Sequence, residues 1–329
     1  MRFYLQKIAF YVVALWAAVT INFFIPRMMP GNPVDIMMNK MSAAGMTIAP
    51  GTRHALEIEL GGGSGNILQQ YGDYIVNLLH GNLGISSSNY PEQVTTMIGQ
   101  ALPWTIALVG LATVISFILG VGLGMLAGWK RGSWLDNLIP VTTMFQSVPY
   151  FWLALILVLV LTRVIPLFPY AGGYNVATTT PGFSLDFIGS AIYYGFLPAL
   201  TIVLSSIGGW MLGMRNMMVS TLSEDYIVTA EAKGLNPRRV RMTYAARNAV
   251  LPSLSGFAIS LGFVVAGSIV TEQVFSYPGI GQLLFSSVSN NDYTLMQGVF
   301  LVISLSVLGA NLVVDVLNGI IDPRTRARS

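Results

Sequence analysis

Cysteine is absent from the 329 residues, which rules out a disulfide framework, a thiolate nucleophile and any cysteine-based metal site. Histidine is nearly absent. His54 and His80 are the only imidazoles; they stand in polar, glycine-containing stretches with no His/Asp/Glu cluster around them, and read as surface residues, not ligands. Charge is scarce too: 9% of residues are charged and 53% hydrophobic, against roughly 25% charged in a soluble domain. A surface facing water needs charge, whereas one facing hydrocarbon needs almost none. The composition makes the bilayer the main solvent. Also missing are a G-x-x-x-x-G-K-[ST] phosphate loop, an H-E-x-x-H helix and clustered carboxylates, which leaves no basis for nucleotide hydrolysis by that loop or for a membrane enzyme. No repeat with a period of roughly 20–50 residues and no inverted symmetry is evident, which disfavours an ion-coupled secondary transporter.

What is present is a series of apolar runs. Six of them, at 8–25, 102–129, 138–161, 196–214, 251–271 and 295–321, reach the roughly 20 residues a helix needs to cross a hydrocarbon core. The first follows Arg2 and Lys7 and leads into Pro26-Arg27 instead of a small-residue cleavage site, which predicts a retained span and not a removable leader. The expected fold is an all-α membrane protein of six transmembrane helices, one domain over 1–329.

The basic residues orient it. Placing both termini inside puts thirteen of the seventeen Lys and Arg in inner segments, leaving Arg27, Lys40, Arg53 and Arg163 outside. Lys and Arg are retained preferentially on the cytoplasmic side, so the termini are expected there. The net charge of +3 then reflects this asymmetry and contact with lipid headgroups, with no nucleic-acid partner implied. The segment 27–101 becomes an extracytoplasmic loop, punctuated by Pro30-Gly31-Asn32-Pro33 and by Gly61-Gly62-Gly63-Ser64-Gly65 and carrying one or two short surface helices, one of them at 67–79. A second outer loop runs from Pro166 to Tyr194. Between the last two spans, Tyr277-Pro278-Gly279-Ile280-Gly281 opens a run ending near Asn290 that is too short to cross and apolar enough to stay at the membrane. Such backbone is tolerated at depth only where protein buries it or it lines an aqueous cavity.

The loop at 216–250 is the most informative stretch, since it holds two helices back to back. Ser223 is expected to cap the first, with Glu224 and Asp225 in its opening turn, and Lys233 with Gly234 to close it. Asn236 caps the second, with Pro237 at its first position and Arg238, Arg239, Arg241 and Arg247 making it basic. A rigid elbow of this kind suits a lever seated in another protein's groove, and equally an amphipathic loop lying on anionic headgroups.

The segment Asp225-Tyr226-Ile227-Val228-Thr229-Ala230-Glu231-Ala232-Lys233-Gly234-Leu235, with Arg247-Asn248-Ala249-Val250-Leu251-Pro252 after it, resembles the "EAA" loop of binding-protein-dependent ABC importer permeases, in the oligopeptide/dipeptide/nickel class. Met29 to Pro33, Gly81-Asn82-Leu83-Gly84, Arg131 to Asp136 and Asp322-Pro323-Arg324 are similar to that class in the same order. The spacing from Gly234 to Pro252 is longer than in the general pattern, and no Glu-Ala-Ala triplet occurs. The resemblance implies a type I ABC importer permease fold in a bacterial cytoplasmic membrane, paired with a second, similar chain, two ATPase subunits and an extracytoplasmic substrate-binding protein. It implies no cofactor on this chain; ATP and Mg belong to the ATPases. It further implies that Ala230, Ala232 and Gly234 let the elbow sit close to the ATPase while Glu224, Asp225, Glu231, Lys233 and Leu235 fix its seating. An oligopeptide is the expected cargo, with an oligosaccharide or a nickel chelate open beside it.

Polar groups within or near spans need a reason, because hydrocarbon penalises them. Gln146 and Ser147 precede Pro149, where a kink turns them either to a cavity or to a neighbouring helix. Asn311 and Asp315, toward the cytoplasmic end of the last span, are read as interhelical bonds ahead of contact with substrate. Glu272 stands at the outer end of the fifth span beside the short segment, where the resemblance implies a gate.

Overall fold

The computed structural model describes residues 2–28, 33–43, 45, 49, 51–54, 66–265 and 269–321. The glycine-rich stretches around 31 and 61–65 and the Asp322-Pro323-Arg324 segment lie outside these. Every extended secondary-structure element among the described residues is helical, save one isolated bridge between Ile85 and Gln93. In order they are α1 (Arg2–Met28), α2 (Pro33–Ala43), α3 (Ile67–Leu79), α4 (Val94–Trp129), α5 (Trp134–Ser147), α6 (Tyr150–Val164) and α7 (Leu185–Thr221). There follow α8 (Asp225–Ala232), α9 (Pro237–Arg239, continued through Val240–Ala246 into Arg247–Ala249), α10 (Leu251–Gly262), α11 (Ile269–Val274), α12 (Ile280–Ser289) and α13 (Tyr293–Ile321). The short surface helix expected at 67–79 is α3.

Among the described residues four helices are long and apolar enough to cross a membrane: α4, α7 and the stretches Gln6–Ile25 of α1 and Tyr293–Val313 of α13; α5 and α6 taken together make a fifth. Three of the expected runs need correction. The helix expected over 138–161 is broken at Val148-Pro149 with a bend of 96°. Pro149 offers no N–H and pushes Val148 into extended backbone (φ −78°, ψ 129°), so the helix ends there and does not merely kink. The run expected over 196–214 is much longer, 37 residues, because Ser184 caps it by accepting the Phe187 N–H at 3.3 Å. The run expected over 251–271 is in two pieces, α10 and α11, whose junction at 266–268 is among the undescribed residues.

α4 and α7 form the most extensive helix pair. The reason is a small-residue stripe: Gly120, Gly124 and Gly128, four apart and therefore on one face, are all buried. A Cβ on Gly124 would overlap the Met211 carbonyl, and one on Gly128 would overlap Met218 Cβ. Without a hydrophobic drive between helices in lipid, this close backbone approach supplies the packing. α5 lies on the same helix, with Gly208 of α7 against the Thr142 backbone. The first and last spans are joined by Asp315, which takes Lys7 Nζ at 3.0 Å and the Tyr11 hydroxyl at 2.8 Å.

α7 thus runs the depth of the molecule. Near its start Leu197 packs with Leu108, Ala154, Phe275 and Tyr277; near its end Met214 and Met218 pack with α8 and α9. Leu197 and Met218 are about 32 Å apart along a helix, close to the roughly 30 Å thickness of a hydrocarbon core.

Candidate functional site: an elbow and a clamped short helix

The elbow at the end of α7 is shaped by local chemistry. α8 starts after Glu224, in extended backbone (φ −78°, ψ 143°) with no side-chain bond to the helix. Ser223 is not the cap; its hydroxyl donates back to the Ser220 carbonyl at 2.7 Å. The C-terminal end follows the sequence closely. Gly234 has φ +70°, its N–H donates to Glu231 O at 2.8 Å and that of Leu235 to Ala230 O at 3.4 Å, the paired bonds of a Schellman motif, with Leu235 packed against the cluster that holds Ala230. Asn236 then caps α9 by accepting the Arg238 N–H at 2.9 Å, with Pro237 in the first turn. Asn248 ties the arms together, donating to the Tyr226 hydroxyl at 3.0 Å and to the Tyr244 carbonyl at 3.1 Å.

Burial divides the elbow into two faces. Ile227 and Ala230, three apart on α8, are buried with Met214, Met218, Val240, Ala245, Ala246 and Ala249. Glu224, Asp225, Glu231, Ala232, Lys233 and Gly234 are exposed, and Leu235 is half-buried. Among the residues singled out from the sequence, Ala230 therefore serves the elbow's own core and offers no surface. Two apolar residues that sequence reasoning passed over, Tyr226 and Val228, are exposed at 39% and 58%, and lie beside the acidic ones. The base of α7 is braced as well. Asp136 takes Arg215 through two bonds, Nε at 3.0 Å and Nη2 at 3.3 Å, and also accepts the Gly132 N–H at 3.0 Å; such a bidentate pair fixes orientation as well as charge.

The far end of α7 meets α11 and Tyr277, and beyond them lies the short helix α12, with the buried carboxylate of Glu272 at its start and that of Asp292 just past its end. Glu272 has no exposed surface. Its Oε1 accepts the Thr105 hydroxyl at 2.9 Å and its Oε2 the Gly281 N–H at 2.7 Å, with the Gln282 N–H also bonded. Thr105 Oγ1 in turn accepts the Ile280 N–H at 2.8 Å. The first-turn donors of α12 are thereby satisfied by residues from α11 and α4, where an N-cap side chain ordinarily does this. Gly279 and Gly281 permit the approach, because a Cβ at Gly279 would overlap the Glu272 carboxylate and one at Gly281 would strike the Ile269 backbone. At the other end Asp292, equally buried, accepts Ser86 Oγ at 2.5 Å, Ser88 Oγ at 2.6 Å and Ser88 N–H at 2.9 Å on one oxygen. Its other oxygen accepts the Leu295 N–H at 3.0 Å, capping α13. Asp292, Thr105, Ser86 and Ser88 were not singled out from the sequence. The bonds of Asp292 to Ser86 and Ser88, and those of Thr105 to Glu272 and Ile280, each span more than 160 residues in the chain, and no local pattern signals them.

Gln146 and Ser147 belong to neither constellation. Both are exposed at the break between α5 and α6; Gln146 lies against Gly209 of α7 and Ser147 Oγ donates to Thr143 O at 3.0 Å. Among the described residues no three His, Asp or Glu side chains gather as a metal site.

Long apolar helices, a braced elbow at one end and a clamped short helix at the other define a multi-pass transport subunit. Residues 120–327 match the family described as the binding-protein-dependent transport system inner membrane component, and the chain belongs to that family. It is 32% identical, over 99% of both chains, to the di/tripeptide transport system permease protein of Pseudomonas aeruginosa. It is 30% identical, again over 99% of both, to the dipeptide transport system permease protein of Escherichia coli.

Proposed function

We propose that this chain is the membrane-spanning half of an ATP-driven peptide importer. It has six spans, with the elbow and both termini in the cytoplasm, and pairs with a second, similar chain. Two ATPase subunits, which bind the ATP and Mg, seat on the elbows, and an extracytoplasmic binding protein delivers cargo to the α12 end. The observation that carries this reading is the elbow itself: a stiff, Schellman-terminated helix whose one face is packed onto α7 while the other leaves Tyr226, Val228, Glu224, Asp225 and Glu231 exposed. ATP-driven closure of the ATPases moves α8; because α8 shares a core with the end of α7, the motion passes along a single helix to the α12 end. That is a population shift between two packings, drawn from the differential grip of the partner on each. The peptide class is supported by relatives that match end to end.

The absence of cysteine makes the test direct. Glu231→Cys is introduced as the sole thiol, and a thiol-to-amine crosslinker is applied to native membranes. Capture of an ATPase subunit from the cytoplasmic side is expected. Labelling of position 231 only from outside the cell, or capture of no nucleotide-hydrolysing partner, overturns the reading.

A further inference from the structure

Between the first turns of α4 and the helix α12 lies a cavity of about 630 Å³, within the range of small-molecule sites. Its two walls are built alike. α4 contributes Gln100, Ala101 and Trp104, and α12 contributes Gln282, Leu283 and Ser286: an amide, an apolar residue next to it, and a third residue one turn on, at the same spacing on each helix. Tyr174 closes one side, stacked on Trp104 at 5.9 Å with an interplanar angle of 11°, and Glu92 also lines the cavity. The side chains of Gln100, Gln282 and Glu92 bond to no other described residue. The α12 wall does not give way easily, because Glu272 holds its first turn and Asp292, whose N–H donates to Ser287 O at 2.8 Å, is itself anchored to Ser86 and Ser88.

Each free amide offers both a donor and an acceptor, the complement of a peptide unit's C=O and N–H. The aromatic pair offers an apolar face to a side chain, and the free carboxylate a counter-charge for an ammonium. We propose that this cavity is a peptide-receiving site on the permease itself, with Gln100 and Gln282 bonding the peptide main chain and Glu92 holding its N-terminal ammonium. The assignment rests on the peptide reading above and adds to it a place where this chain touches cargo. A peptide leaving the binding protein at the α12 end meets this site first.

The test uses the complete transporter in proteoliposomes, with radiolabelled trialanine and saturating binding protein. Replacing Gln100 and Gln282 together by Ala is expected to lower uptake about tenfold, the equivalent of ~1.4 kcal/mol, while the second permease chain and the ATPases still co-purify. In an otherwise unaltered chain, a photocrosslinking amino acid at position 282 is expected to trap the labelled peptide during turnover. Uptake unmoved by the double variant overturns the site alone, as does a crosslink found only to the second permease chain, which would make this face a subunit interface. Failure of the unaltered transporter to import trialanine or any di- or tripeptide overturns the peptide reading, and the site with it.

Discussion

At the elbow, α8 and α9 are positioned by bonds between residues a few places apart, and the side chains left over point to solvent; beyond the other end of α7, α12 is positioned through its first-turn backbone N–H groups, which Glu272 of α11 and Thr105 of α4 accept. Gly234, Asn236 and Pro237 need nothing beyond their neighbours to bend the chain. The first turn of α12 needs Glu272 and Thr105, which lie 167 residues apart. A module determined locally can move as a unit without losing its shape. One held by distant bonds reports any relative movement of α4 and α11, because its N-terminal donors lose their acceptors. The first construction suits the coupling surface proposed for the elbow.

The comparison is broken most severely at Glu272. In Glu272→Ala the Thr105 hydroxyl and the Gly281 and Gln282 N–H groups lose a buried acceptor, and each orphaned group costs about 1–3 kcal/mol. Thermal unfolding of the purified complex should fall sharply and uptake by more than about tenfold. Glu272→Gln keeps an acceptor toward Thr105 and sets an NH₂ against Gly281, so an intermediate loss is expected. If Glu272→Ala melts with the unaltered protein, α12 is held otherwise than through its carboxylate.

The shaft between the two ends comes next. Gly124→Leu forces a side chain into the Met211 backbone, and overpacking of this kind costs about 1–3 kcal/mol. Reduced folded yield in detergent is the expected readout, with both ends affected together because α7 carries both. Gly122, on the same helix, meets nothing within 4 Å, and Gly122→Ala should leave the yield unchanged.

Smaller in stability, yet decisive for function, is Gly234→Val. A β-branched residue at φ +70° is strained by about 1–2 kcal/mol, and the strain is confined to the elbow. The melting temperature should move little while ATP-driven uptake drops about tenfold, an uncoupling that Glu272 variants would not show in isolation from unfolding. Equal losses of stability for the two would erase the distinction between a local and a long-range module.

The same distinction explains what could be read from the sequence. Gly234, Asn236 and Pro237 were legible because the signals that stop and start helices act over one turn. Ser223 misled because a serine followed by two acids has the look of a cap, and only the fold shows its hydroxyl spent on Ser220 O. At 138–161 the sequence signals a kink at Pro149 within one span, but apolar content does not register the full 96° break that Pro149 enforces through Val148. The small-residue stripe of α4 and the clamp on α12 were illegible: glycine spacing does not name the helix it meets, and Asp292, Ser86 and Ser88 look like ordinary loop residues until folding brings them to 2.5–2.9 Å. For the candidate cavity, the matched placement of Gln100 and Gln282 emerges only when two helices far apart in sequence face each other.

The mildest variant sharpens the comparison from the elbow side. Val228 is exposed at 58% and touches no buried cluster, so Val228→Ala should shift stability by less than about 0.5 kcal/mol and leave α8 as it is. An apolar residue on an exposed helical face matters when a partner covers it; burying a valine contributes about 1.5–3 kcal/mol relative to leaving it in water, and truncation to alanine forfeits part of that. Affinity for the ATPase, measured by titrating the purified ATPase subunit onto the permease pair in nanodiscs, should therefore weaken several-fold while the melting temperature of the pair alone stays put. Should affinity stay put as well, the ATPase does not cover Val228, and the acidic residues beside it become the part of the elbow that the partner grips.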